Sequence, residues 1–463
     1  MDGLKLHLKD NQPIDKSQNG QISEGRCKTV LRYLSSHSLQ SIRDDKDCDV
    51  LVFPHSFEET QDDLKDAFVL NYVENLDGDP EYISTNNLVG FIGYKDIEIS
   101  IHSRFSSGKG NQTQDYFLYH MLSKAMAINM FNLPTSSGTD MAFDFLLFFF
   151  PKLLKEAMSQ GLYKKYVYHE YNDANVRGVI DINRYIRRNI PANGRIAYRT
   201  REFSYDNPMT QLIRHTIEFI RRKPLGKAVL HNDADTEACV QQIIQATPTF
   251  MARQQQSVIN DNLRPVVHPY YTKYAALQKL CLRILRHEKL SYGQANDKIH
   301  GILIDAAWLW EEYVARVLAE NAEKTGLKHY TRKNPFDLFT GGFQKIIPDY
   351  LDEDRHIVAD AKYIPLHRSD HIAADRASAI YYKTIMYMYR FESAKGFLLH
   401  PCPQYEVQNE QVVISDYKID NSKDCHLYEV GMVIPANDDY SEFKKQMDET
   451  FEPAFVEKIE SKF

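Results

Sequence analysis

Asp349, Asp360 and Lys362 are the residues of this chain best suited to chemistry. They stand in the order Pro348-Asp349, ten residues, then Asp360-Ala361-Lys362. Two carboxylates that converge can hold Mg²⁺, a hard cation that takes oxygen ligands and keeps several waters. Such a metal lowers the pKa of a bound water and offsets charge on a phosphoryl oxygen. A neighbouring lysine can orient or deprotonate that water, or stabilise charge on a five-coordinate phosphate. The plainer alternative is a surface hairpin whose polar residues are solvated, and the spacing alone leaves the two readings evenly matched.

The elements around these residues must bring them together. Lys345 to Leu351 is apolar and β-rich, Asp352-Glu353-Asp354-Arg355 is a polar turn cluster, and His356 to Ile364 is a second apolar strand. Residues two apart in a strand share a face, so Asp360 and Lys362 point the same way as Val358. If the two runs pair as a hairpin, Asp349 comes close to Asp360. Upstream, Ile302 to Glu320 has the pattern of a helix. At about 100° per residue, Ile304, Ala307, Trp308, Glu311, Ala315 and Leu318 fall on one stripe. An acid in that stripe needs a cation, a metal or a donor. Glu311 is therefore either a third acidic group of the site or the partner of an arginine. Downstream, Ala374 to Phe391 has a helical pattern and Gly396 to Pro401 reads as a strand.

This order of helix, Pro-Asp strand, Asp-x-Lys strand, helix and strand resembles the PD-(D/E)xK nuclease superfamily. More narrowly, the chain resembles the McrC family, the nuclease subunits of McrBC-type modification-dependent restriction systems. The likeness rests on Trp310-Glu311-Glu312-Tyr313-Val314, Ile347-Pro348-Asp349 and Asp360-Ala361-Lys362-Tyr363. It continues in Arg177-Gly178-Val179-Ile180-Asp181, in Asp206-Asn207-Pro208 through Ile213, and in Asp115 to Leu122.

The resemblance implies an α+β and α/β multidomain chain. A β-rich region over 1–105 and a mixed helical and β docking and activator region over 106–290 precede an endonuclease domain over 291–463. It implies Mg²⁺, or Mn²⁺ in its place, held by Asp349, Asp360 and the carbonyl of Ala361. Lys362 would position the attacking water and Glu311 would assist. It implies an endodeoxyribonuclease working with a separate McrB-like AAA+ GTPase ring, which reads modified cytosine in DNA. The N-terminal β-region and the loop around Arg104 to Lys109 are the candidate ring contacts. One departure stands out: Lys383 occupies a position where the family often carries glutamine, and a lysine meets phosphate only as a flexible point charge. Two alternatives stay open, a non-catalytic activator of the GTPase and a stand-alone DNA repair nuclease.

Length and composition agree with such a protein. At 463 residues with 43% hydrophobic content, the chain is long enough for two to four domains with sizeable cores. Six cysteines lie scattered without Cys-x-x-Cys spacing, which excludes a zinc ribbon or redox motif. The run Met141 to Leu154 contains Asp144 and Pro151 and is too short for a bilayer, so it reads as a buried helix. The opening residues lack an apolar signal core, and a cytoplasmic protein is expected. Ser106 to Asn111 contains Gly-Lys without P-loop spacing, so no nucleotide site is expected there. The net charge of −7 excludes a chain that coats nucleic acid by bulk charge. Two local basic stretches, Arg184 to Arg201 and Arg214 to Lys223, are interleaved or flanked by Tyr185, Tyr198 and Phe203. They read as a nucleic-acid surface or, preferably, as solvated faces or a partner surface.

Overall fold

The computed structural model describes residues 4–463 apart from 14–24, 46–47, 55–64, 76–79, 95–96, 108–113, 127–137, 224–225, 232, 291–298, 332–334, 365–373, 408–409 and 420–423. The expected linker over Ser291–Lys298 and most of the Ser106–Asn111 loop lie outside the described residues. The chain forms two compact units, Met1–Phe131 with Ala295–Phe463, and Asn132–Gln294. The expected boundary at 105 falls within the first unit and that at 290 close to the end of the second, and one strand after 290 joins the region before 105.

That strand is Ile299–Asp305, where the sequence pattern suggested the start of a helix. It lies between Leu88–Tyr94, to which it is antiparallel, and Cys48–Phe53, to which it is parallel. The full order is Leu4–Lys9, Ile97–His102, Leu88–Tyr94, Ile299–Asp305, Cys48–Phe53. Ile302, Leu303 and Ile304 are wholly buried between their neighbours. A short apolar run fits a buried strand as well as a helix, and only the pairing decides. The helix proper is Ala306–Glu320, and Asp305 caps it by accepting from the Ala307 N–H at 2.9 Å.

The alternation of Leu4, Leu6 and Leu8 with polar residues, and of Ile97, Ile99 and Ile101, sends one face of this sheet into a core. Leu6, Leu8, Ile99, Val50 and Leu303 meet Val30, Leu31 and Leu34 of the helix Gly25–Ser36 there. Gly90 makes the close strand approach possible. Its φ is +137°, and a Cβ would lie 2.1 Å from the Ile302 carbonyl oxygen. Gly90→Ala is expected to cost roughly 3 kcal/mol through strain and overpacking. A denaturant midpoint equal to wild type, read by circular dichroism, would contradict this.

The second sheet of the same unit has six strands in the order Lys328–His329, Tyr350–Asp352, Ile357–Ala361, Lys395–Pro403, His426–Ile434, Val412–Lys418. Its centre is parallel, Ile357–Ala361 to Lys395–Pro403 to His426–Ile434, and its outer pairs are antiparallel. The helix Ala374–Arg390 crosses between the first two parallel strands, as a parallel connection requires. Trp310 of the helix Ala306–Glu320 donates from Nε1 to the Leu399 carbonyl at 3.1 Å, locking that helix to the sheet. The C-terminal segment closes the unit with helices Tyr440–Gln446 and Glu452–Glu460, joined by a π-turn over Met447–Phe451.

The unit Asn132–Gln294 combines helices with a three-stranded sheet ordered Lys165–Asp173, Ile196–Ser204, Val179–Ile180. The helix Gly138–Met158 contains the apolar run, with Leu147 to Phe150, Leu153 and Leu154 buried. Among the described residues no helix is long and apolar enough to cross a membrane. The Asp206-Asn207-Pro208 sequence proves to be a capping device. Asn207 accepts from the N–H groups of Met209 and Thr210, opening the helix Pro208–Arg221 with proline in its first turn. Asp206 accepts from Gln211 at 2.6 Å and from the Thr249 N–H at 3.0 Å. Asp181 likewise caps a short helix, Ile182–Arg188.

Candidate active site

Asp349, Asp360 and Lys362 do converge. Tyr350 pairs with Ala359 and Leu351 with Val358, so the register continues to set Asp349 against Asp360. The first strand is shorter than its pattern suggested. Lys345–Ile346 pairs with Phe336–Asp337 instead, and the ladder resumes only at Tyr350. Pro348 explains the break, because it has no N–H to donate and holds the chain off the ladder. Asp349 is thus freed from strand geometry, and its Oδ2 accepts from the Ala361 N–H at 2.7 Å. The turn is set by Asp352, whose Oδ1 accepts from the N–H groups of Asp354 and Arg355, both at 3.0 Å.

Both carboxylates are buried, Asp349 with 3% of its surface exposed and Asp360 with none. Burial pushes the Asp349 pKa well above the usual carboxylate range, and the negative charges of Asp360 and Glu311 add to that. Burial acts on Asp360 as well, but the positive charges of Lys362 and Lys383 outweigh it and hold this carboxyl below the usual range. For Lys362, burial works against the charge, while Asp360 and Asp349 more than compensate and raise its pKa. Lys362 is an ammonium here. It forms an ion pair with Asp360 Oδ2 and donates to the Ala361 carbonyl at 3.2 Å.

The oxygens suit a hard divalent cation. Asp360 Oδ1 and Oδ2 are buried, and apart from the Lys362 ammonium at Oδ2 neither has a hydrogen-bond partner. Native proteins rarely leave such groups unsatisfied, and a cation is one standard cause of the exception. Asp349, Asp360 and the Ala361 carbonyl would be the protein ligands. Donors made only of carboxylate and carbonyl oxygen favour Mg²⁺ or Mn²⁺ over softer metals.

Glu311 is brought to the same place on the helix Ala306–Glu320, and among the described residues its side-chain partner is a histidine. His329 Nε2 lies 3.0 Å from Glu311 Oε1. Burial depresses the His329 pKa, yet the hydrogen bond and charge of Glu311 prevail and raise it. Tyr350 donates to the Glu311 carbonyl at 2.6 Å, which fixes the helix against the Pro-Asp strand. The sequence reading did not single out His329. The short strand Lys328–His329 places it opposite Tyr350, a pairing that two residues of pattern could not reveal.

The helix Ala374–Arg390 adds two further groups. Lys383 is half-buried, and its charge bears on Asp349, Asp360 and Lys362. One turn on, Tyr387 is buried and donates to the Ile347 carbonyl at 2.8 Å, just before Pro348. Tyr387 thus supports the bend that carries Asp349. Tyr382, beside Lys383, is largely exposed.

A second buried ionic cluster lies elsewhere in this unit. His120 Nε2 is 2.7 Å from Glu452 Oε1, Tyr313 donates to the same oxygen at 2.6 Å, and Lys124 pairs with Glu452 and, at 3.1 Å, with Glu320. Asp448 is close enough that His120, Asp448 and Glu452 could in principle share an ion. The Lys124 ammonium already supplies the positive charge, 3.7 Å from Asp448 and in contact with Glu452, so the cluster reads as a structural tie. It joins the helix Tyr116–Met126 to Ala306–Glu320 and to the C-terminal helix.

The basic stretches divide into arginines engaged within the unit and one exposed face. Arg184 donates to the carbonyls of Tyr171 and Tyr198, each at 2.7 Å, and Tyr198 is fully buried. Arg214 and Arg221 both pair with Glu218. The exposed face belongs to the antiparallel strands Lys165–Asp173 and Ile196–Ser204. Tyr166 and Phe203 sit opposite each other with rings 4.9 Å apart. Arg201 lies 4.6 Å over Tyr166, and Arg199 lies 5.6 Å over Tyr168. Tyr166 is 56% exposed and Tyr168 68%. Residues 161–205 carry nine Lys and Arg against four Asp and Glu, a local excess of positive charge in an acidic chain. By contrast, Arg104, offered by the sequence as a possible ring contact, keeps only 12% of its side chain exposed and is engaged by Asp10.

A model of the family described as McrBC 5-methylcytosine restriction system component matches residues 83–401. No curated protein matches the sequence. Among solved structures, a chain in the half-complex of a tetradecameric assembly of Thermococcus gammatolerans McrB AAA+ hexamers with bound McrC is similar at 15% identity, covering 96% of this chain and 99% of that one, with a TM-score of 0.48. A chain of the Thermococcus gammatolerans McrBC complex, determined by cryo-electron microscopy, is similar at 14% identity, covering 68% of this chain and 88% of that one, with a TM-score of 0.29.

Proposed function

Since the chain belongs to the McrBC 5-methylcytosine restriction system component family, we propose that it is the nuclease subunit of such a system, a cytoplasmic endodeoxyribonuclease that acts with a separate McrB-like AAA+ GTPase. The observation that carries this reading is the pair of buried, opposed carboxylates, Asp349 and Asp360, with the Lys362 ammonium paired to Asp360 Oδ2 and Asp360 Oδ1 left without a hydrogen bond. The six-stranded mixed sheet with the helices Ala306–Glu320 and Ala374–Arg390 serves in this reading as a PD-(D/E)xK domain.

The residues divide the work as follows. Asp349, Asp360 and the Ala361 carbonyl would hold Mg²⁺ or Mn²⁺. When bound, the metal supplies Lewis acidity, which makes a water nucleophilic near neutral pH and offsets charge on the phosphate. Lys362, protonated through its carboxylate neighbours, positions the attacking water and stabilises negative charge on the phosphodiester. Glu311, held by His329, orients water at the edge of the site. Lys383 presents a second cation to the DNA backbone as a point charge.

The partner ring reads the modified base, and the unit Asn132–Gln294 docks onto it. Its alternating tyrosines and arginines are the residue types that dominate binding energy at protein interfaces. Tyr168→Ala combined with Arg201→Ala is expected to weaken binding to the GTPase by about thirty-fold. Calorimetric titration with the partner checks this. Because both side chains are exposed, the melting temperature stays at the wild-type value, and an unchanged affinity would remove the face from the interface.

The deciding experiment measures Mg²⁺-dependent cleavage of long methylated and unmethylated DNA by wild type, alone and with the neighbouring GTPase plus GTP. Cutting of methylated DNA only with partner and GTP is the expected result. Cutting without the partner would point to a stand-alone nuclease. No cutting, with GTP hydrolysis still accelerated, would point to an activator.

A further inference from the structure

We propose that Arg104 is a positioning residue for Lys362, acting through Tyr363; this rests on the nuclease reading above for its functional consequence. Tyr363 directly follows Lys362 and is 2% exposed. The strand Ile357–Ala361 ends before Lys362, so the sheet holds the lysine only through its own backbone N–H. One backbone bond remains, from the Lys362 N–H to the Leu399 carbonyl at 2.8 Å. The chain beyond is fixed by side chains. The Arg104 guanidinium lies 4.4 Å over the Tyr363 ring, and Phe105 meets the same ring edge-on at 5.9 Å.

Arg104 is itself held on several sides. Its Nε and Nη2 donate to Asp10 Oδ2 at 3.0 and 2.6 Å, and Nη2 also donates to Asn87 Oδ1 at 2.9 Å. Asp10 is fully buried and also accepts from the Arg104 N–H. The parallel strands Leu4–Lys9 and Ile97–His102 end in register, Lys9 beside His102, so Asp10 and Arg104 emerge together from one sheet edge. That edge holds the guanidinium plane against Tyr363. The arrangement needs the planar fork of arginine, which can pair with a carboxylate and stack on a ring at once. A lysine keeps the charge and loses the stacking plane.

The distances make Tyr363 the handle and Lys362 the load. With the clamp released, the ammonium loses its set position over Asp360 and the Ala361 carbonyl, and displacements of about 1 Å from productive geometry cost up to a hundred-fold in rate. The N-terminal sheet thereby becomes part of the catalytic apparatus without contacting substrate.

The test compares Arg104→Lys, Tyr363→Phe and Tyr363→Leu with wild type, in the full chain with its partner and GTP. Two readouts are taken: hydrogen exchange of the peptide covering Ile357 to Ile364, which needs no cleavage, and the split between kcat and KM for DNA. Expected are faster exchange and at least about a ten-fold lower kcat at unchanged KM for Arg104→Lys and Tyr363→Leu, with Tyr363→Phe close to wild type because the ring is kept. The double variant Arg104→Lys with Tyr363→Leu should be no worse than either single, as expected for one shared interaction. Unchanged exchange in both single variants, or fully additive losses in kcat, would overturn the proposal. Should Arg104→Lys fail to fold, the contrast between Tyr363→Phe and Tyr363→Leu decides alone. Should wild type not cut under any condition, the nuclease reading falls and the exchange result still judges the clamp.

Discussion

Asp360→Ala is expected to lower DNA cleavage by at least about three orders of magnitude while leaving the fold and partner binding intact. The size of the effect follows from the position of Asp360. It is fully buried, stands opposite Asp349, and touches the ammonium that would align the water. In the proposed reading its removal takes away a metal ligand and the anchor of Lys362 together. The fold should survive, because the repulsion from Asp360, which adds to burial in raising the Asp349 pKa, is relieved. Asp349 then remains as a partner for Lys362. Sites of this kind commonly trade stability for activity. The companion Asp360→Asn keeps the shape and should be comparably inactive, since a neutral amide holds the cation far more weakly and forms no ion pair with the lysine. Cleavage of methylated DNA, Mn²⁺ binding by calorimetry and thermal melting together check this. Undiminished cutting with either variant would remove Asp360 from the mechanism.

Lys124→Met should be among the most destabilising single changes on a partly exposed residue, costing roughly 3 kcal/mol near neutral pH. Lys124 pairs with Glu452, and Glu452 is buried. Burial alone would push the Glu452 pKa up, but His120 and Lys124 outweigh it and hold it below the usual range. A carboxyl whose folded pKa is depressed contributes stability above its unfolded value and loses it as pH falls through the folded value. The wild type should therefore lose this contribution below the ordinary glutamate pKa of 4.5. In the variant, the uncompensated charge is costly at neutral pH and becomes less so as Glu452 takes up a proton. The gap in unfolding free energy should thus be widest near pH 7 and narrow toward pH 4. A gap that stays constant across this range would show that packing of the lysine stem, not charge, is what was lost. Because His120, Lys124, Tyr313 and Glu452 come from three separate helices, the same variant should loosen the C-terminal helix before the sheets.

Asp349, Asp360 and Lys362 were legible in the sequence because strand alternation is a local property: a period of two places Asp360 and Lys362 on one side whatever the rest of the chain does. The polar cluster after Leu351 marked the turn for an equally local reason, since an aspartate accepts from amides two and three residues ahead. Asn207 and Asp181 could have been recognised as helix caps on the same grounds. The strand Ile299–Asp305 was not legible. A short apolar run carries no preference between helix and strand, and the choice was made by Cys48–Phe53 and Leu88–Tyr94, which flank it from far away in the chain. The pairing of Glu311 with His329, of Lys124 with Glu452 across 328 positions, and of Arg104 with Asp10 across 94 likewise depends on which elements pack together. The sequence by itself determined which residues are candidates for chemistry and that they stand in or next to two paired strands. Tertiary structure alone decided what surrounds them, because burial and charge partners are set by chain segments that no local pattern connects.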